Sequence, residues 1–138
     1  MKIDFDKIED AFLFVSMEQM YIHRALLCKE TGDVFYKSEL GDFEELPDDI
    51  DDLAKYIAIP HKNELDLGKN LVFQFVSEFI PERMDKVEEI FSRKGAYARF
   101  KDLLEYVGML EKWYECENQA QSEALKKWCC ENNLEING

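Results

Sequence analysis

The sequence lacks any long hydrophobic run. No apolar stretch approaches the roughly 18 residues that a membrane-spanning helix needs. The first ten residues, MKIDFDKIED, are acidic and amphipathic rather than signal-like. We therefore expect no contact with a membrane, and the absence of an export signal predicts a cytoplasmic protein.

Residues that bind metals or act as nucleophiles are also scarce. The chain has two histidines, His23 and His61, and its four cysteines show no pair at the spacing of a metal site or a disulfide framework. Cys129 and Cys130 are adjacent, and adjacent side chains on a helix point about 100° apart. No glycine-rich phosphate loop is present. These absences predict no metal, no cofactor, no disulfide and no identifiable catalytic residue.

Positive charge is in short supply as well. Thirty acidic residues against seventeen Lys and Arg give a formal net charge of −13. This balance argues against non-specific affinity for nucleic acid and weakly favours a basic protein as partner. The 138 residues are 46% hydrophobic, which is enough for one self-sufficient core, so we expect a single domain over residues 1–138.

Residues 55–80 form the most apolar part of the chain. Residues 56–59 are rich in β-forming side chains and stop at Pro60, which predicts a strand. Asn63 stands where a helix N-cap is expected, with Asp66 in the first turn. Apolar residues then recur at helical spacing to Ile80, and we expect Phe75 among them to be buried.

The segments on either side predict a mixed architecture. Asp4 or Asp6 can cap a first helix that runs to about Gln19, with Ile8, Ala11, Phe12 and Val15 on its buried face. Strands over residues 21–28 and 34–37 form a hairpin, because Gly32 suits the left-handed position of its turn.

Helices dominate the rest of the chain. They are predicted over residues 82–94, 96–107 and 110–132, with Gly95 and Gly108 as terminators and a break or bend at residues 118–122. Trp128 is predicted to be a core residue of the last helix. The fold class is therefore α+β: an N-terminal helix, a small, mostly antiparallel three-stranded sheet, and a C-terminal bundle of four to five helices.

Four blocks of sequence resemble a known family. They are Glu30-Thr31-Gly32-Asp33, YIAIPHKNELDLGKNLVFQFV, RKGAYARFKDLLEYVGMLEKWYE and LKKWCCENN. In this order, and over nearly the whole chain, they resemble the bacterial uncharacterised protein family 0158. That family has no assigned activity, so the resemblance implies a bacterial cytoplasmic protein and no site residues.

Residues 39–52 contain eight acids and no base. The simplest interpretation is a solvated face. The functional interpretation is a docking surface for a basic protein, or a mimic of nucleic-acid phosphates, formed by Asp48, Asp49, Asp51 and Asp52. Leu40, Phe43, Leu46 and Ile50 are interleaved with the acids. They support binding slightly, or they anchor the segment to the core. A short helix could start near Pro47.

A local basic patch contrasts with the acidic chain. Arg93, Lys94, Arg99 and Lys101 surround Gly95, with no acid between residues 93 and 101. If a helix starts after Gly95, its free amides and dipole join these cations in an anion site for a phosphate-bearing ligand. The structural alternative is that Gly95 only ends a helix and that the cations pair with Glu88, Glu89 or Asp102.

Two functional hypotheses follow. The first is a non-enzymatic interaction or regulatory protein that uses the acidic face or the basic patch. The second is an enzyme or small-ligand-binding protein with a site near His61 and the helix start at Asn63. His61 follows a strand and precedes a helix, which is a common place for functional residues. A polar residue in a strand-to-helix turn is the simpler explanation of His61.

Overall fold

The computed structural model describes residues 2–41 and 46–137 and shows an α+β chain, as the sequence predicts. Its internal contacts define two compact units. The first consists of Met1–Leu65 together with Glu123–Gly138, and the second of Asp66–Ser122. The prediction of one domain over residues 1–138 stays a prediction. Among the described residues, no helix has both the length and the apolar character needed to cross a bilayer.

The first unit begins with a two-residue strand, β1 (Ile3–Asp4), and a helix, α1 (Phe5–Ser16). Asp4 caps the helix, because its Oδ1 atom accepts a hydrogen bond from the Asp6 amide at 3.0 Å. The predicted apolar stripe is confirmed: Ile8, Ala11, Phe12 and Val15 are buried, together with Phe5. The helix ends at Ser16, about a turn before the predicted end at Gln19.

A three-stranded antiparallel sheet follows α1. Its central strand is β2 (His23–Cys28), with β3 (Val34–Ser38) on one side and β4 (Tyr56–Ala58) on the other. Gly32 has a φ of 79°, and its amide donates to the carbonyl of Cys28 at 2.8 Å. Only glycine adopts this backbone conformation without cost, so the hairpin forms where the sequence predicts it.

Strand β1 pairs in parallel with a second two-residue strand, β5 (Ile136–Asn137), and Ile3 lies opposite Ile136. No pattern in the sequence predicts this pairing. Two residues are too few to show the alternation by which strands are recognised.

The α-helix after β4 does not begin at Asn63, which corrects the predicted helix start. Lys62–Leu65 form a 3-10 helix, and α2 covers Lys69–Phe79. Asp66 lies between them with a φ of 56°, a left-handed conformation that an α-helix cannot include. Gly68 is the N-cap of α2.

Among the described residues, the remaining α-helices are α3 (Met84–Phe91), α4 (Ala96–Tyr106) and α5 (Leu110–Glu131), and Pro81–Arg83 form a short 3-10 helix before α3. Gly108, with a φ of 75°, follows the C-cap of α4 and ends that helix as predicted. Gly95, with a φ of 74°, does not end α3 as predicted, because that helix is capped at Ser92 and Gly95 is the N-cap of α4. The prediction of a break at residues 118–122 is wrong, because α5 runs through them, and the alternative of a bend there stays a prediction. Gln119, Ala120 and Gln121 are good helix formers, and their propensity outweighs the polarity of the segment.

The core of the second unit is built on aromatic packing. The ring of Trp113, which is 1% exposed, meets Phe75 and Phe100 edge-on, at centroid distances of 5.3 and 5.2 Å. Within the described residues, Nε1 of Trp113 is buried and has no hydrogen-bond partner. Phe75 is buried as predicted, whereas Trp128 of the first unit is only half-buried, which corrects its assignment to the core.

Candidate functional site

His61 is buried, with 3% of its surface exposed, and both of its ring nitrogens are engaged. The Asn63 amide donates to Nδ1 at 3.0 Å, so Nδ1 must be the unprotonated acceptor. Nε2 therefore carries the proton and donates it to the backbone carbonyl oxygen of Glu18, at 2.7 Å. The two contacts fix a neutral imidazole in one tautomer.

Two further hydrogen bonds hold the turn that contains His61. The His61 amide donates to Oε1 of Glu64 at 3.2 Å, and the Lys62 amide donates to Oγ of Ser16 at 3.0 Å. The turn after β4 is thus bound to the end of α1 and to the loop that follows it. Neither ring nitrogen of His61 is without a hydrogen bond, and these bonds cross-link the turn to the chain at and after the end of α1.

A cavity of about 350 Å³ opens beside this turn, within the first unit. His61 contributes to its wall, as does His23, which stacks on Phe14 at a centroid distance of 4.3 Å. Much of the wall is apolar and comes from the sheet, from the acidic segment and from the residues next to them: Leu26, Leu46, Ile50, Leu53, Ala58 and Ile59. The volume is at the low end of the range for small-molecule sites.

Two cations that were not predicted as site residues line the same cavity. Arg24 of β2 and Lys37 of β3 are direct partners in the antiparallel register. Partners in register share a sheet face, so both side chains lie on one side of the sheet. No described carboxylate approaches either cation within 4.0 Å.

Tyr21 lies next to these cations with an unusual backbone. Its φ of 75° is in the left-handed region, which is rare for a bulky residue. The side chain is 68% exposed and lines the cavity, and the guanidinium of Arg24 lies 5.9 Å from the ring centroid. Tyr21 and Arg24 thus form a cation–π pair on the cavity wall.

The acidic segment is described only in part, since Asp42, Phe43, Glu44 and Glu45 lie outside the described residues. Of the four candidate docking residues, Asp49 is bound within the fold. Lys55 Nζ donates to its Oδ2 at 2.7 Å, and the Tyr56 hydroxyl donates to its Oδ1 at 2.8 Å. The hydrogen bond from Lys55 lowers the pKa of Asp49 most, and the hydrogen bond from Tyr56 lowers it further.

The pKa values of both partners of Asp49 are raised. Its hydrogen bond raises the pKa of Lys55 to about 12. Burial, followed by the hydrogen bond to Asp49, raises the pKa of Tyr56. Asp49 and Lys55 therefore stay charged, and Tyr56 stays neutral, over a wide pH range.

Asp52 has a second internal role, because its Oδ1 accepts a hydrogen bond from the Ala54 amide at 2.9 Å. Turns occupy residues 48–51 in place of the helix expected near Pro47. Asp48 and Asp51 are exposed and make no ion pair with a described residue. Leu46 and Ile50 are half-buried, so they help to anchor the segment, one of the two roles the sequence left open.

The basic patch surrounds Gly95, which is exposed and left-handed. Arg93, Lys94 and Arg99 are exposed, and no described acid lies within 4.0 Å of them. The expected partner Glu89 pairs with Lys86 instead, at 3.8 Å. Lys101 differs from the other cations: it is half-buried, and its Nζ lies 5.6 Å from the ring centroid of Tyr114.

The start of α4 within this patch has no side-chain cap and no acid in its first turn. Its first amides have no intrahelical acceptors. A Cβ at residue 95 would meet no atom within 4 Å, so Gly95 is required by its backbone angle and not by lack of space. Arg93 and Lys94 thus precede the start of α4, Arg99 lies about one turn into it, and all three cations are exposed.

The cysteines differ in their surroundings. Burial raises the pKa of Cys129 to about 11, whereas its neighbour Cys130 is exposed. Burial also raises the pKa of Cys28, but hydrogen bonds from Thr31 and Glu30 and the charge of Lys55 lower it by more. Across residues 2–41 and 46–137, no three His, Cys, Asp or Glu side chains are grouped so that they could hold a metal ion.

Comparison of the chain with protein-family models, with curated proteins and with solved structures found no match. The resemblance to family 0158 therefore stays a prediction from the sequence blocks.

Proposed function

We propose that the chain is a non-enzymatic binding protein in which Arg93, Lys94 and Arg99 contact a phosphate-bearing ligand. The observation that carries the proposal is the isolation of these cations. They are exposed and unpaired among the described residues, in a chain with a net charge of −13. A cation without a local carboxylate partner is available to an anion from outside.

The backbone at the start of α4 supports this proposal. The first amides of α4 point away from their helix and carry the positive end of its dipole. No acid in the first turn competes for them. Arginine adds planar donors that match two phosphate oxygens at once. Cations and backbone donors would thus act on the same anion.

The non-enzymatic part of the proposal is supported by His61. Both of its ring nitrogens are used in hydrogen bonds with the backbone, at 2.7 and 3.0 Å. The alternative, catalysis near His61 and Asn63, would need a ring nitrogen of His61 to transfer a proton, and both nitrogens are engaged. Asn63 also no longer marks the start of an α-helix. A bacterial cytoplasmic setting, proposed from the sequence, fits this function.

The test is a titration of the labelled chain with pyrophosphate, nucleotides and short RNA at low salt, followed by NMR. We expect the amide signals of Gly95, Ala96 and Tyr97 to shift, and Arg93→Gln with Arg99→Gln to weaken binding about tenfold or more. The matched control is Lys86→Gln with Lys112→Gln. It removes the same charge from exposed lysines that pair with Glu89 and Glu115.

Two results would overturn the proposal. One is the absence of amide shifts with every phosphate compound. The other is equal weakening by the two double variants, because this would indicate a general charge effect and not a site.

A second candidate function uses the acidic segment as a docking surface for a basic protein. It is favoured by Asp48 and Asp51, which are exposed and have no ion pair with a described residue. Asp49 and Asp52 are exposed as well but also make hydrogen bonds within the fold, so the proposal rests on Asp48 and Asp51. For a basic protein recovered from the cytoplasm, Asp48→Asn with Asp51→Asn should weaken binding and reduce its salt dependence. An affinity unchanged by these substitutions and by salt would remove the segment from consideration.

A further inference from the structure

We propose that the cavity of the first unit binds a small amphipathic carboxylate, with its carboxylate between Arg24 and Lys37 and its apolar body against Leu26 and Ile50. This site lies outside the patch around Gly95, and the proposal does not depend on phosphate binding there. Three observations carry it: a like-charge pair, an apolar wall and a strained tyrosine.

The like-charge pair is the first observation. Arg24 and Lys37 stand directly opposite each other on neighbouring strands. Like charges in this position destabilise an antiparallel pair. The described part of the fold offers no carboxylate within 4.0 Å of either side chain. A bound anion between them would turn a repulsion into two charge-assisted contacts.

The apolar wall is the second observation. Leu26 lies two residues after Arg24 on β2, hence on the same sheet face, and Ala58 is its partner in register on β4. Leu46 and Ile50 of the acidic segment line the same space of about 350 Å³. A cation pair beside such a wall fits a ligand with one charged end and one apolar end.

The strained tyrosine is the third observation. Tyr21 adopts a left-handed backbone that a bulky residue avoids, and its ring remains 68% exposed on the cavity wall. Strain of this kind is concentrated at binding sites, where the surrounding structure enforces it. Here it holds the ring beside the guanidinium of Arg24, at 5.9 Å. Tyr21 would act as a positioning residue that orients Arg24.

The charge of the ligand follows from the other residues on the wall. Asp51 and Glu64 also line the cavity. Their carboxylates would repel a second negative charge on the ligand. The site should therefore select a monoanion, such as a medium-chain fatty acid or an aromatic acid, over a dianion of similar size.

The test is a titration of the full chain with octanoate and phenylpropanoate, followed by NMR. Three control ligands are titrated in the same way. Octanol lacks the negative charge, acetate lacks the apolar body, and octyl phosphate carries an additional negative charge. We expect octanoate or phenylpropanoate to shift the amide signals of Arg24, Leu26 and Lys37, and the three other compounds to bind about tenfold more weakly or not at all.

The variant is Arg24→Gln with Lys37→Gln, which should weaken carboxylate binding about tenfold or more. The matched control is Lys2→Gln with Lys127→Gln, two exposed residues of the first unit that are not on the cavity wall. This control should bind as the wild type does. Arg93→Gln with Arg99→Gln should also leave carboxylate binding unchanged, which separates this site from the proposed phosphate site.

The folding of the variant provides a second measurement. Removing the like charges should leave the melting temperature of the unliganded chain equal or higher. A lower melting temperature would overturn the argument from repulsion. Equal binding of octanol and octanoate, no shifts with either carboxylate, or equal effects of the variant and its control would overturn the carboxylate site.

Discussion

His61 donates a hydrogen bond from Nε2 to the backbone carbonyl oxygen of Glu18, 43 positions earlier in the chain, at 2.7 Å. This bond joins the loop after α1 to the turn after β4. Its geometry depends on the Asn63 amide, which holds the other ring nitrogen as an acceptor. A residue that the sequence offered as a catalytic candidate is thereby explained by the stability of the fold.

We predict that His61→Ala lowers the free energy of unfolding by about 2–4 kcal/mol, because it creates a cavity and leaves two backbone groups without their partner. Urea unfolding near neutral pH measures the loss. The control is Asn63→Ala, which keeps the backbone amide that contacts His61 and removes only an exposed side chain. Equal midpoints for the two variants would contradict the cross-link.

The cluster of Asp49, Lys55 and Tyr56, which are joined by hydrogen bonds, predicts a dependence of stability on pH. A carboxyl group with a lowered folded-state pKa stabilises the fold above its ordinary pKa of 3.8, and this contribution is lost as the pH falls through the folded-state value. The wild type should therefore be more stable than Asp49→Asn near neutral pH. The difference should shrink as the pH falls below 3.8. Urea unfolding over this range measures it.

The control for this experiment is Asp48→Asn, an exposed acid with no ion pair among the described residues. It should follow the wild type at every pH. At the alkaline end, the raised pKa of Lys55 predicts that its contribution to stability is lost as the pH rises through about 12, and the raised pKa of Tyr56 acts in the same direction. Parallel curves for wild type and Asp49→Asn at all pH values would disprove the role of Asp49.

The two tryptophans provide a matched test of burial. Trp113→Ala should cost about 3–5 kcal/mol, because its ring is fully enclosed between Phe75 and Phe100. Trp128→Ala makes the same chemical change at a half-buried position. Its cost should be smaller, about 1–2 kcal/mol. A larger loss at Trp128 than at Trp113, measured by denaturant unfolding, would show that the core is wrongly placed.

Thiol labelling tests the last turns of α5. Cys130 should react with iodoacetamide first, because it is exposed, whereas Cys129 is buried and has a pKa of about 11. Mass spectrometry of the native chain at mildly alkaline pH measures the rates. Cys130→Ser should remove the fast reaction, and Cys129→Ala should leave it. All four cysteines should react once the chain is denatured.

Local signals in the sequence predicted most of the fold. Gly32 fixed the hairpin turn, and regular apolar spacing identified the buried face of α1. The missed elements depend on distant contacts or on weak signals. The pairing of Ile3 with Ile136 joins opposite ends of the described chain, and Asp66 interrupts the helical pattern through one backbone angle that its residue type does not dictate.

The candidate site was less predictable than the fold. The sequence predicted His61 as a candidate site residue. The hydrogen bond of its ring to the carbonyl of Glu18 could not be predicted from neighbouring residues, because Glu18 is distant in the chain. Arg24 and Lys37 carried a usable signal, since the turn at Gly32 determines which residues of β2 and β3 face each other. Their importance appears only when Leu46 and Ile50 complete the cavity.

The division of the chain has a consequence for its synthesis. The second unit is one continuous stretch, Asp66–Ser122, whereas the first requires both Met1–Leu65 and Glu123–Gly138. A ribosome adds about 5–20 residues per second. Residues 2–65 would therefore wait several seconds, without the buried Leu125, Cys129 and Leu134 that belong to their own unit. During that interval the nascent chain exposes apolar surface, and it is then that chaperones would recognise it most readily.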